Sequence, residues 1–224
     1  MKGLLLNYKF GMWDAVVTGR KTNTRRSHAC LTKINEDPDK YEFIGFNFDD
    51  QGTYARFKEI SHGNIIECRA RYQISEIVFL QEPTMNAAPY VTNEDTIMYQ
   101  YRDKEGHTEL DAFRAVIDAA KAKGAEWSNK MFMPANRARY HVKINRIEME
   151  RLHDISDKDC LAEGIETNLV DGEPFSYAFK ENGKMSCYST PKKAYFALYN
   201  GVNQGDHGNL WVFSYHFELC TING

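Results

Sequence analysis

The chain has 224 residues, 42% hydrophobic, 13% aromatic and 26% charged, a globular composition that excludes disorder, a collagen-like repeat or a coiled coil. With 28 Lys and Arg against 31 Asp and Glu, the formal net charge is -3 at pH 7, which excludes a uniformly basic nucleic-acid coat. The longest apolar runs, such as Ile77-Val78-Phe79-Leu80, fall far short of the roughly 20 residues needed to cross a bilayer, so no membrane partner is expected.

Residues Gly11 to Thr18 carry an apolar stripe through Met12 and Val16, and Gly19 predicts its stop, so the first element reads as a short helix. The basic segment Arg20-Lys21-Thr22-Asn23-Thr24-Arg25-Arg26 follows directly and reads as a loop. Tyr41 to Phe48, the turn Asp49-Asp50-Gln51-Gly52 and Thr53 to Phe57 predict a β-hairpin. Further strands are expected at Ile65 to Tyr72 and at Ile74 to Gln81, the second apolar enough to be covered on both faces. From Pro83 to Lys130 the chain turns polar around one helix, Leu110 to Lys123, with Thr108 and Asp111 as a capping box and Gly124 as a stop, and reads as an insertion.

Strand character returns at Arg139 to Glu150, where the alternation of Tyr140, Val142 and Ile144 slips before Ile147 and Met149, predicting a β-bulge near Asn145. Ser156 as N-cap, Asp159 three residues on and Gly164 as terminator predict a helix of about two turns. Thr167 to Thr190 lacks clear periodicity and reads as a second insertion or loop. A helix from Pro191 to Tyr199 and a closing strand from Leu210 to Leu219 complete a single α+β domain spanning residues 1–224.

Several catalytic signatures are missing. No Walker A loop, HExxH, Gly-x-Ser-x-Gly, GxGxxG or deaminase Cys-x-x-Cys occurs, and the seven histidines are too dispersed to propose a metal site. Cys30, Cys68, Cys160, Cys187 and Cys220 are scattered and form no Cys-x-x-Cys pair, so they read as free thiols. The first residues, Met1 to Lys9, contain no signal-peptide core. A reducing, cytoplasmic setting is the expectation from both.

Gly19-Arg20-Lys21-Thr22-Asn23-Thr24-Arg25-Arg26 after a short helix resembles the opening signature of the ASCH domain family, whose members have a PUA-like β-barrel. Val78-Phe79-Leu80-Gln81-Glu82, Phe132-Met133-Pro134 through Arg139, Leu152 to Ile165 and Leu210-Trp211-Val212-Phe213 resemble later segments of bacterial and phage members, in the same order. Gln81 replaces the Arg common before Glu82, and Ala135-Asn136 stand where phage relatives often carry Arg-Trp.

The resemblance implies a partly open PUA-like barrel with short flanking helices and insertions at about 83–130 and 167–190. It extends to the family's amidohydrolases of N4-acetylcytidine, which use a Lys, a Thr and a Glu. By motif these are Lys21, Thr24 and Glu163, with Arg20, Arg25, Arg26, Glu82 and Arg139 as substrate contacts. No metal or organic cofactor is implied.

Amide hydrolysis needs a nucleophile, a proton acceptor and a donor to the leaving nitrogen. Thr24 is then the nucleophile or the holder of a water, Lys21 the base or an oxyanion donor, and Glu163 the group that orients Lys21 or shuttles protons. The competing expectation is a non-catalytic RNA-binding module, in which Arg20, Lys21, Arg25 and Arg26 neutralise phosphates while Trp13, Tyr41 or Trp211 stacks on a base. A third is a protein partner held by the two insertions.

Overall fold

The computed structural model describes residues 1–82, 84–86, 97–99, 114–126, 128 and 130–221. In chain order its strands and helices are β1 (Gly3–Leu5), α1 (Met12–Val17), β2 (Asn23–Arg26), α2 (Thr32–Glu36), β3 (Tyr41–Asp49), β4 (Gly52–Glu59), β5 (Ile65–Arg69) and β6 (Ile77–Gln81). They continue with β7 (Thr84–Asn86), β8 (Ile97–Tyr99), α3 (Arg114–Ala122), β9 (His141–Arg151), α4 (Asp157–Ala162), β10 (Glu166–Val170), β11 (Glu173–Glu181), β12 (Lys184–Tyr188), α5 (Pro191–Asn203) and β13 (Trp211–Cys220). The architecture is mixed α+β, mostly strands in several sheets, and the described strands do not hydrogen-bond into a closed barrel. No helix among the described residues is long and apolar enough to cross a membrane.

The central sheet is five-stranded, in the order β1-β6-β9-β13-β2. β1 runs parallel to β6 and the other pairings are antiparallel. Val78, Phe79 and Leu80 are buried, as the continuous apolar run of β6 requires. β13 is covered on both faces: Val212, Phe213, Ser214 and Tyr215 are all buried. On one side the three-stranded sheet β3-β4-β5 supplies the cover, with Phe57 edge-on to Trp211 at 5.3 Å and Phe46 6.5 Å from Phe213. The bulge falls at Asn145, because His216 pairs with Arg146 while the next residue, Phe217, pairs with Ile144.

Two expectations need correction. The basic segment is not a free loop: Asn23 to Arg26 form β2, an edge strand laid against β13. Nor is 167–190 a loop, since it holds the antiparallel sheet β10-β11-β12, which packs against α5. Its hairpins turn at Asp171-Gly172 and Asn182-Gly183, all four at positive φ, the geometry that Asp-Gly and Asn-Gly pairs favour. In the first insertion the described part of the expected helix is α3, and Gly124 after it has φ 95°. Thr108, Leu110 and Asp111 lie outside the described residues. All five cysteines are free.

Candidate active site

Lys21 is delivered by the way α1 ends. Gly19 takes φ 77°, the chain folds back, and the Lys21 N–H donates to Ala15 O at 2.7 Å. The Thr22 N–H then donates to Ala162 O at 2.8 Å, tying this segment to the end of α4. In β2, Thr24 lies opposite Tyr215 and Arg25 opposite Ser214. From the other side, α4 starts at the Ser156 cap, whose Oγ accepts from Asp159 N–H at 3.0 Å, and finishes at Glu163. Gly164 makes the close approach possible: at φ 104°, an added Cβ would sit 3.2 Å from Ala15 Cβ and 3.5 Å from Lys21 Cβ.

Three ionic side chains therefore meet away from water: Lys21, Arg25 and Glu163 are each 5% exposed or less. The Lys21 ammonium donates to the Glu163 carbonyl at 2.9 Å and to Glu163 Oε2. Glu163 Oε1 accepts from the Arg25 backbone N–H at 2.7 Å, capping the free edge of β2, and from Arg25 Nη1 at 3.3 Å. Arg25 also reaches Glu150, with Nε 2.8 Å from Oε1. Burial pushes the Lys21 pKa below that of a free lysine, further than the Glu163 carboxylate restores it. Burial likewise raises the Glu150 carboxyl, against the opposing pull of Arg25.

Lys21, Thr24, Arg25, Arg26 and Glu163 line one cavity, closed on its far side by Tyr195, Leu198 and Tyr199 of α5. It holds about 440 Å³ of free space with its mouth and little room beyond a few small groups inside, so it is a narrow slot. Thr24 is buried and its backbone pairs with β13, while its hydroxyl makes no hydrogen bond to a described residue, which leaves it for a ligand. The Tyr195 hydroxyl is also buried with no hydrogen-bond partner among the described residues. Burial raises its pKa well above that of a free tyrosine, keeping it a donor. The apolar face of α5 was legible in Tyr195, Leu198 and Tyr199, but nothing in its spacing names the cavity it covers.

No protein-family model, curated protein or solved structure matches the chain. The site stands on its own geometry.

The remaining expected contacts scatter. Arg26 is half-buried at the cavity wall, where its Nη2 donates to Leu5 O at 2.7 Å. Arg20 points to the outer surface and pairs with Glu166 at 3.0 Å. Glu82 and Arg139 do not line the slot: they form a bidentate pair at 3.1 and 2.7 Å, with the guanidinium stacked over Trp13 and Tyr140. Trp13 and Tyr41 are buried in the core, and Trp211 lies between Phe57 and the Arg151 guanidinium. Among the described residues, no three His, Cys, Asp or Glu side chains are grouped so as to hold a metal ion.

Proposed function

We propose that the chain is an ASCH-type protein with a PUA-like core that hydrolyses the amide of an N4-acylated cytidine, using Lys21, Thr24 and Glu163. One observation carries the reading: Lys21 and Glu163, 142 residues apart, are in direct contact in the cavity that Thr24 also lines. A narrow slot with an unengaged hydroxyl suits the edge of a planar base and a small acyl group.

In the first step the Thr24 Oγ attacks the acyl carbon and the bond from that carbon to N4 breaks. The hydroxyl proton passes to the Lys21 amine and on to the leaving nitrogen, releasing cytidine. A water then attacks the Thr24 ester, gives its proton to Lys21, and the carboxylic acid leaves as Thr24 regains a proton. Burial favours the neutral amine this relay needs, and Glu163 holds Lys21 in place. The Tyr195 hydroxyl, buried in the same cavity without a hydrogen-bond partner among the described residues, is the donor assigned to the developing oxyanion.

The binding-only alternative called on Arg20, Lys21, Arg25 and Arg26 as open cations. Lys21 and Arg25 are closed off by Glu163 and Glu150 and cannot meet a phosphate without breaking those pairs.

The test is release of cytidine from N4-acetylcytidine by wild type beside Lys21→Ala. The variant is expected to lose at least a hundredfold, roughly the contribution of a positioned base. Because the neutral amine is the working form, kcat/KM should rise with pH and level off as Lys21 loses its proton. Full activity in Lys21→Ala, or a rate that falls as pH rises, would remove Lys21 as the base.

A further inference from the structure

A second cavity shares a wall with the slot. Arg26 lines both, and on its other side a wider, open-mouthed chamber, about 750 Å³ with its mouth, is lined by Arg71, His28, Ser27, Tyr72 and Gln81. No acidic residue lines it among the described residues. The Arg26 guanidinium donates to the Leu5 carbonyl and the exposed Arg71 guanidinium lies over the Tyr72 ring at 5.6 Å, and among the described residues neither has a carboxylate partner.

The third basic group is His28. Its Nε2 lies 2.7 Å from the Tyr215 hydroxyl, which also accepts from the Arg71 backbone N–H at 3.0 Å. Burial and the two neighbouring guanidinium groups lower the His28 pKa to about 4. Among the described residues the chamber is therefore a concentration of positive charge without a facing carboxylate, beside an uncharged imidazole, the field into which an anion fits.

We propose that this chamber takes a phosphate ester of the substrate, so that the protein acts on an acylated cytidine nucleotide, free or within a strand, rather than on the bare nucleoside. The proposal rests on the slot being the base site, since the two cavities meet at Arg26. Arg71 and Arg26 hold the phosphate oxygens while the acylated base reaches past Arg26 to Thr24.

The experiment compares kcat/KM of the full chain for N4-acetylcytidine, its 5′-monophosphate and a short RNA bearing one N4-acetylcytidine, in wild type and Arg71→Ala. Equilibrium binding of cytidine and cytidine 5′-monophosphate is measured alongside, at low and high salt. A phosphate is expected to improve KM and affinity about tenfold, as one or two charge-assisted hydrogen bonds do, with the gain shrinking in salt and in Arg71→Ala. Gain with the mononucleotide identifies a monoester; gain with the RNA alone identifies a strand phosphodiester. A phosphate that adds nothing to either, or a gain that survives Arg71→Ala, overturns the proposal while leaving nucleoside turnover as evidence for the amidohydrolase. Arg71-dependent binding of cytidine 5′-monophosphate without turnover of any form sinks the amidohydrolase reading and keeps the phosphate chamber.

Discussion

Lys21 and Arg25 share one buried carboxylate, and that sharing sets what each substitution costs. Removing one partner of a buried ion pair leaves an uncompensated charge, at about 3–5 kcal/mol. Glu163→Gln is therefore expected to lose about 3 kcal/mol of unfolding free energy in a urea titration, as well as activity. Thr24 is different, because its hydroxyl bonds to no described residue and stands outside the ion cluster. Thr24→Val should stay within about 1 kcal/mol of wild type. A Glu163→Gln protein as stable as wild type would mean that the cluster is not the dry, closed one described here.

His28 carries a second residue-scale consequence. Its folded pKa of about 4 lies below the ordinary 6.5, and it faces Arg26, Arg71 and Tyr215. Between those two values the unfolded chain binds a proton that the folded chain does not. The stabilising contribution is therefore complete above pH 6.5 and is lost as pH falls toward 4. The loss amounts to about 3 kcal/mol at 1.36 kcal/mol per pKa unit. Unfolding of wild type and His28→Asn across this range measures it. An identical acid dependence in both proteins would contradict the assignment.

At the scale of elements, the end of α4 matters most, because Glu163 and Gly164 bring a helix terminus against α1 and β2. Gly164→Ala forces a side chain into positive φ and against Ala15, and is expected to cost roughly 2 kcal/mol and to displace Glu163 from Lys21. Calorimetry and the turnover assay should then fall together; a stable, fully active Gly164→Ala would contradict this account of the close approach. This helix was legible, since Ser156, Asp159 and Gly164 are local signals that act over a few residues. The β3-β4 hairpin and the Asn145 bulge were legible for the same reason. The β10-β12 sheet was missed although Asp171-Gly172 and Asn182-Gly183 mark its turns and Phe175, Tyr177 and Phe179 alternate in β11, because its strands are largely exposed and the short flanking strands β10 and β12 carry no such pattern. β2 was missed because four polar and basic residues become a strand only when β13 and Glu163 supply partners for their backbone.

Across the whole molecule, the two edges of the central sheet, β1 and β2, approach each other, and the Arg26 guanidinium spans them through the Leu5 carbonyl. Both cavities lie along that seam. Its position depends on long-range closure that no local pattern reports, which is why Lys21, Thr24 and Glu163 were reachable from motif resemblance while Tyr195 and Arg71 were not. The same closure explains why Arg20 and the Glu82–Arg139 pair fell away from the slot. Charge type was visible in the sequence; which charges would be buried against one another was not.

The most direct measurement is the rate of cytidine release from N4-acetylcytidine, as nucleoside and as 5′-monophosphate, by wild type and Thr24→Val with matched urea stability. Wild-type turnover that drops by on the order of a thousandfold or more in Thr24→Val, with stability unchanged, is the predicted result for a lost nucleophile. Equal turnover by the two folded proteins, or none by wild type on either substrate, would contradict it.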